Sequence, residues 1–318
     1  MRQLLKRVYK PLSRFSVLER AREAWRKNVE LHYWPWYRRK PTACGIELRA
    51  DRYKHELIVS LTSFPARIHL VHLAIHSLLR QSLKPNRLVL WLAEEQFPGK
   101  ENELPQDLSS LKSFGLEIRW CEDLKSFKKL IPSLREWPDA IIVTADDDMF
   151  YPRHWLRSLY QSWLEHESCI HCGGMRRIVW NADGTAKPFG EWIWNPLQSF
   201  PSFENTQVGL NGVLYPPHAL HLDITDSQTW SRLSPSSDDL WFWTMAVRTG
   251  TKIQLVQNNR QQPVLIPDSL ATPCLWSQNH SGGGNDRCFD NLLRAYPDLF
   301  QRLASEPLQK VKSRGKLD

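Results

Sequence analysis

Three carboxylates in a row, Asp146, Asp147 and Asp148, follow the apolar run Ala140 to Thr144 and precede Met149-Phe150-Tyr151-Pro152. Adjacent acids repel one another. Enclosed by apolar sequence they are costly unless a cation or a hydrogen-bond donor compensates them. Mg2+ or Mn2+, which take oxygen ligands, supply that compensation; such an ion can also hold a diphosphate and offset charge on a leaving group. An exposed acidic turn is the competing reading. A second acidic focus, Asp238-Asp239, opens the apolar block LWFWTMAV. Ser236 or Ser237 can cap a helix there, and acids in its first turn are favourable on their own. The third feature is the run Trp276 to Asn285, WSQNHSGGGN. Its three glycines permit close backbone approach and motion, and His280 just before them can complete a metal shell through an imidazole nitrogen. That run is a candidate lid that excludes water.

The elements that must position these groups read as alternating strands and helices. Buried strands are expected at 57–61, 87–92, 116–120 and 140–144, with helical or turn patterns at 69–82, 101–113 and 127–134 between them. Alternation of this kind predicts an α/β fold with a mostly parallel central sheet flanked by helices. Ligands in open α/β sheets bind beyond the carboxyl ends of strands, which is where Asp146 to Asp148 fall. Past them the alternation fades. Residues 170–230 read as strands and long loops, 237–248 as a buried helix, 252–257 as one more strand and 289–304 as a closing helix. No GxGxxG and no GxxxxGK[ST] string occurs, so a dinucleotide or P-loop reading has no support. Cys169-Ile170-His171-Cys172 lacks the second close ligand pair of a structural zinc site.

Charge divides the chain. Residues 1–54 carry a net +10, residues 301–318 a net +3 and the stretch between them a net −5. The expected organisation is a basic, aromatic N-terminal arm at 1–54, a catalytic domain at 55–300 and a basic tail at 301–318. The mildly acidic body argues against a nucleic-acid partner, which calls for a positive working surface. The arm also holds His32 to Tyr37, HYWPWY, beside Arg38, Arg39 and Lys40. Aromatic rings with basic side chains suit an anionic membrane surface; packing of the arm against the body is the alternative. No run of eighteen apolar residues occurs and no signal-type apolar stretch follows the basic start. The expected location is therefore cytoplasmic, with peripheral contact at the inner face of the membrane as one reading. The 15 tryptophans are an unusual number; many are expected in the core, and others can line a groove for sugars or bases.

With the strand-plus-Asp146-Asp147-Asp148 arrangement, the opening VSLTSFPARI, the segment LKSFKKLIPSL and the later SSDDLWFWTMA, residues 55–290 resemble the glycosyltransferases of GT-A fold that carry a DxD motif, of the family-2 type found in bacterial surface-polysaccharide synthesis. The resemblance implies a nucleoside diphosphate sugar donor, UDP by family frequency, and a divalent metal. It implies that Thr62, Ser63, Phe64 and Arg67 lie near the base or ribose, that Asp123 reaches the uridine or ribose, and that Lys128 or Lys129 approaches the diphosphate. Asp146 would face the ribose, Asp148 would be the direct metal ligand, and Asp147 would contribute indirectly. A late histidine, His280 here, completes the metal shell in several members. SSDDLWFW is similar to the acidic-pair-plus-tryptophan motif of inverting members, in which one acid is the general base; Asp239 is the first choice and Asp238 the second. The family more often has Glu at the first position of that pair, which leaves the assignment between the two open.

The acceptor side, a glycan or lipid-linked saccharide, is expected at Glu191, Trp192 and Trp194 in FGEWIWN and, through the resemblance, at Asn211 and Gly212. Core packing is the alternative for the indoles. Two other functions share these features. A metal-dependent nucleotidyltransferase or phosphotransferase also needs carboxylates at a sheet edge, but LTSFPARI offers no glycine-rich phosphate loop. A catalytically inactive carbohydrate-binding protein fits the tryptophan content and leaves the acids unexplained.

Overall fold

The computed structural model describes residues 41–257, 262–272, 279 and 283–306. The chain divides into two compact units, residues 1–42 and 43–318. Nearly all of the first lies outside the described residues, so the aromatic run at 32–37 and the charge of the arm have no structural counterpart here; the same holds for 307–318.

The second unit is built on a seven-stranded sheet. Strands β1 (Leu57–Thr62), β2 (Arg87–Ala93), β3 (Leu116–Cys121) and β4 (Ile141–Ala145) are mutually parallel wherever they touch. Strands β5 (Met149–Phe150), β6 (Ile170–Cys172), β7 (Met175–Arg177), β8 (Ile193–Trp194), β9 (Asn205–Gln207), β10 (Val213–Tyr215), β11 (Ile253–Leu255) and β12 (Val264–Leu265) follow. The main sheet runs β11-β6-β10-β4-β1-β2-β3, with β10 antiparallel to both neighbours. A three-stranded antiparallel sheet, β8-β7-β9, and a two-stranded ribbon, β12-β5, complete the set. The α/β architecture with a mostly parallel sheet is the one expected; the antiparallel β10 is an addition.

Helices α1 (Val71–Leu78), α2 (Gln106–Ser109), α3 (Ile131–Glu136), α4 (Trp155–Glu165), α5 (Ser227–Leu233), α6 (Asp238–Thr249), α7 (Gly284–Ala295) and α8 (Asp298–Ala304) cover the main sheet. The core lies on both of its faces. Leu57, Val59 and Leu61 of β1 pack with α1 and with Trp155, Leu159 and Trp163 of α4. Ile58 faces the other way, toward Phe127, Trp230 and the α6 residues Trp241, Phe242 and Met245. This is the period-2 alternation of a strand buried on both sides. Ser60, on the same face as Ile58, is fully buried and bonds Ser133, which in turn accepts from the Trp91 indole. The short helix expected within 101–113 is instead α2 with 3-10 turns on either side, spanning 100–114, and the expected helix at 289–304 is broken between α7 and α8 at Pro297.

One connection fixes the turn before β10. The Trp155 indole donates to the Asn211 carbonyl at 2.7 Å, and Gly212 lies against the same ring with φ +86°. A methyl group on Gly212 would come within 2.3 Å of that ring. Gly212→Ala combines left-handed strain with overpacking and is expected to destabilise the protein by about 3 kcal/mol or more. Urea denaturation of the variant checks this.

Candidate functional site

The carboxyl ends of β1 and β4 lie side by side, because Leu61 pairs with Ala145. The chain leaves β1 through Ser63 to Arg67 and leaves β4 through Asp146 to Asp148, so the two loops face each other. Arg67 is buried, and its Nη1 sits 2.8 Å from Asp147 Oδ1 and 2.8 Å from Asp148 Oδ2. Ser63 Oγ donates to the other Asp147 oxygen at 2.6 Å. Arg67 Nε donates to Thr272 Oγ1 at 2.8 Å, and its guanidinium lies over the Phe64 ring. Burial alone would lower the pKa of Arg67, but the Asp147 and Asp148 charges outweigh it and hold the cation firmly. Asp146, half-buried, donates its backbone N–H to the Tyr151 hydroxyl at 2.6 Å. Thr62 hydrogen-bonds the Trp91 carbonyl at 2.8 Å.

The second acidic focus reaches the first through Lys129. Its ammonium is buried, 3.1 Å from Asp146 Oδ1 and 2.9 Å from Asp238 Oδ2. Burial pulls its pKa down, but the charges of Asp146, Asp238 and Asp239 prevail and raise it well above the ordinary lysine value. The turn Gly209–Asn211 lies above it. The Gly209 N–H donates to both Asp239 oxygens at 3.1 Å, and a methyl group on Gly209 would lie 2.8 Å from Lys129 Nζ. Gln207 Nε2 completes the clasp by donating to the Asp239 carbonyl at 2.9 Å. The expected serine cap of α6 is not made: Ser237 occupies the N-cap position without a side-chain cap bond, and the Asp239 carboxylate turns to Gly209.

Five carboxylates thus share one site with two buried cations. The excess charge appears in their protonation. Burial first, and then the charges of Asp146 and Asp147, push Asp148 up to about 7. Burial and the Asp238 charge, opposed by Lys129, push Asp239 to about 7 as well. Asp147 is raised by burial against the pull of Arg67 and Ser63. Removing Lys129 leaves Asp146 and Asp238 uncompensated. Lys129→Met is therefore expected to cost about 3–5 kcal/mol of stability. Equilibrium urea unfolding of the variant checks it.

Lys128 points away from Lys129; buried, it pairs with Asp123 at 2.7 Å. Asp123 also accepts from Gln96 and from the Lys125 N–H, and although burial acts to raise its pKa these donors bring it below the ordinary value. Asn211 and Gly212 belong to the turn above Lys129. Trp194 is 43% exposed at the end of β8, whereas Trp192 is packed against Phe189 and Phe289 in the core and Glu191 is exposed beside Lys187. His280 lies outside the described residues. Tyr151, Thr272, Gly209 and Gln207 are contributors that sequence reasoning missed; only Gly209, three residues before Gly212 in a VGLNG string, carried a local signal.

Among the described residues, no three His, Cys, Asp or Glu side chains converge as a ready ligand set for a metal ion, and no helix is long and apolar enough to cross a membrane. No protein-family model matches the chain, and no curated protein matches it. Among solved structures the chain is similar to residues 1–349 of S. aureus TarS, with a TM-score of 0.44 and 10% identity over 76% of this chain and 71% of that one.

Proposed function

We propose that this chain is a metal-dependent glycosyltransferase of GT-A type that moves a sugar from a nucleoside diphosphate sugar, UDP-linked in the first instance, to a glycan or lipid-linked saccharide with inversion. The observation that carries the reading is the bridge Lys129 makes between the two acidic foci, pairing with Asp146 just past the carboxyl end of β4 and with Asp238 at the start of α6. One pair of loops then offers charge for a donor diphosphate, and the other a carboxylate for an acceptor hydroxyl.

The donor set suits a divalent cation by charge: buried carboxylates outnumber the cations paired with them, and oxygen-only donors are what Mg2+ or Mn2+ take. Asp148 and Asp146 would hold the ion, with His280 as a further ligand. Bound there, it offsets the charge of the leaving diphosphate. Ser63 and Arg67 keep Asp147 and Asp148 in place, while Thr62 and Phe64 line the approach of the nucleotide. Asp123 with Lys128 forms the flanking polar wall of that approach. Asp238 is held by Lys129, so Asp239, half-buried and gripped through a single backbone N–H, is the freer base. A carboxylate whose pKa is near 7 accepts a proton well at neutral pH.

A donor panel read by nucleotide release, with and without Mn2+, tests the reading; anomeric-proton NMR of the product follows. Transfer that needs the metal and inverts the anomeric centre is expected. Equal release with and without an acceptor, or a product of retained configuration, goes against it. The arm of residues 1–54 is proposed to hold the enzyme at an anionic bilayer. Deleting residues 1–40 is expected to reduce sedimentation with phosphatidylserine vesicles severalfold, and raised salt to do the same to the full chain.

A further inference from the structure

Two neighbouring arginines on β7 are treated differently by the fold. Arg177 is buried and paired, 2.6 Å from Glu204 Oε2, with Asn205 Oδ1 at 3.1 Å. Arg176 is half-buried and no carboxylate of the described residues pairs with it. Its described hydrogen bonds are long ones from Nη1 to the carbonyls of Phe189 and Trp192, 3.4 and 3.3 Å. Glu191, the acid on the adjacent turn, is directed to Lys187 instead. Burial lowers the pKa of Arg176, and no neighbouring acid opposes the effect. A guanidinium stays charged regardless, so the site keeps a cation that lacks its counter-charge.

The same cation is held flat. Its Cζ lies 5.0 Å from the Phe189 ring centroid and 5.5 Å from that of Trp194. Trp194 is the cross-strand partner of Arg176 in the small sheet, so both project from one face. That face leads to the acid cluster. A methyl group on Gly174 would touch both the Trp194 ring, at 3.2 Å, and Asn211 Nδ2, at 2.8 Å. Asn211 closes the turn whose first residue, Gly209, holds Asp239.

We propose that Arg176 and Trp194 form an acceptor subsite for a sugar bearing an anionic group, a phosphate or a carboxylate, next to the hydroxyl-accepting Asp239. This rests on the glycosyl-transfer reading and names the acceptor class for the same site. The exposed indole gives the sugar ring an apolar floor, and the unpaired guanidinium gives its anion a planar, bidentate partner. A neutral acceptor would leave Arg176 half-buried without a counter-charge; an anionic one supplies it. Phosphate and carboxylate share this chemistry, and the probes below separate them.

Binding of glucose, glucose 6-phosphate and glucuronic acid to the full chain, followed by saturation-transfer NMR and titration calorimetry with the donor site filled by UDP and Mn2+, tests the proposal. At least one of the two anionic sugars is expected to bind about tenfold or more tightly than glucose, and which one names the anion. Arg176→Gln is expected to erase that preference. Arg176→Lys is expected to keep part of it, since the charge stays and the planar fork is lost. Trp194→Ala, at an exposed ring, is expected to weaken all three sugars by a similar factor. No preference in the parent protein, an unchanged preference in Arg176→Gln, or unaffected binding in Trp194→Ala overturns the subsite. If Arg176→Gln does not fold, a preference undiminished in Arg176→Lys overturns it equally. UDP binding is read separately in the same titrations. Its failure, with the anion preference intact and lost in Arg176→Gln, counts against the glycosyl-transfer reading and leaves an Arg176 anion site standing.

Discussion

Asp148→Ala is expected to abolish Mn2+-dependent nucleotide binding and to lower turnover by about 10³-fold, while the metal-free protein becomes more stable rather than less. The first half follows from the role proposed for the carboxylate: an ion on a diphosphate supplies several kcal/mol of charge stabilisation, and each 1.4 kcal/mol is about tenfold in rate. The second half follows from burial. Asp148 has only 15% of its side chain exposed and lies beside Asp146 and Asp147, with Arg67 shared between two acids. Its pKa is raised to about 7, so the folded state holds a proton that the unfolded chain releases near 3.8. A raised folded pKa makes stability fall as pH climbs from about 4 to about 7, and the loss persists above that. Without its carboxylate the variant escapes this penalty, about 2 kcal/mol after allowance for residual solvation. Urea unfolding in EDTA at pH 5 and pH 8 measures it. The parent should be weaker at pH 8 than at pH 5, and the variant should show a smaller difference. A variant that binds nucleotide and turns over like the parent would remove Asp148 from the metal site.

Asp239→Asn is expected to lower turnover by about 10² to 10⁴-fold with nucleotide affinity close to that of the parent. Asparagine keeps the size and one acceptor oxygen, so the Gly209 N–H retains a partner and the turn above Lys129 stays in place. What is lost is basicity. The parent rate should rise with pH through about 7, the value to which burial and Asp238 push this carboxyl, and level off above it. Asp238→Asn is expected to behave differently: it removes half of the counter-charge of Lys129, so stability suffers along with rate. If instead Asp238→Asn shows the larger rate loss at unchanged stability, the two acids exchange roles. Retained stereochemistry of the parent product defeats direct displacement whatever either variant does.

The first four strands were legible because their residues leave little choice. LIVSL, RLVLWL and AIIVT are apolar runs too short for a helix and are bounded by turn residues, and each became a strand within a residue or two of its expected ends. Helix α4 carries an equally plain signal, with Trp155, Leu156, Leu159, Tyr160 and Trp163 on one buried stripe at helical spacing. The antiparallel β10 had no such signal: VLY is three residues long, and its direction is set by where the chain returns from the small sheet. The two acidic foci could be read one at a time. Their meeting could not, since Lys129 sits in a KK pair and spacing alone does not say which side chain faces inward. The resemblance implies that one of these lysines approaches a diphosphate; among protein partners, Lys129 lies between Asp146 and Asp238, and Lys128 pairs with Asp123. A buried charge chooses partners by three-dimensional proximity, which spacing along the chain does not record.

Lys129 also bears on whether such a protein can be assembled from parts. Apart from His280, the residues proposed for the donor end by Asp148, and those proposed for the acceptor and the base come later, which invites exchange of the second half between related chains. The bridge from Asp146 through Lys129 to Asp238 forbids a clean cut. A fragment ending before Asp238 carries a buried ammonium with half of its counter-charge, and a graft lacking an acid at that position inherits the same fault. Any chimera must therefore bring a carboxylate to Asp238 and a bare backbone to Gly209. The two halves vary together or not at all, and new acceptor preferences are more readily reached by changing Arg176 and Trp194, which touch neither lysine nor base.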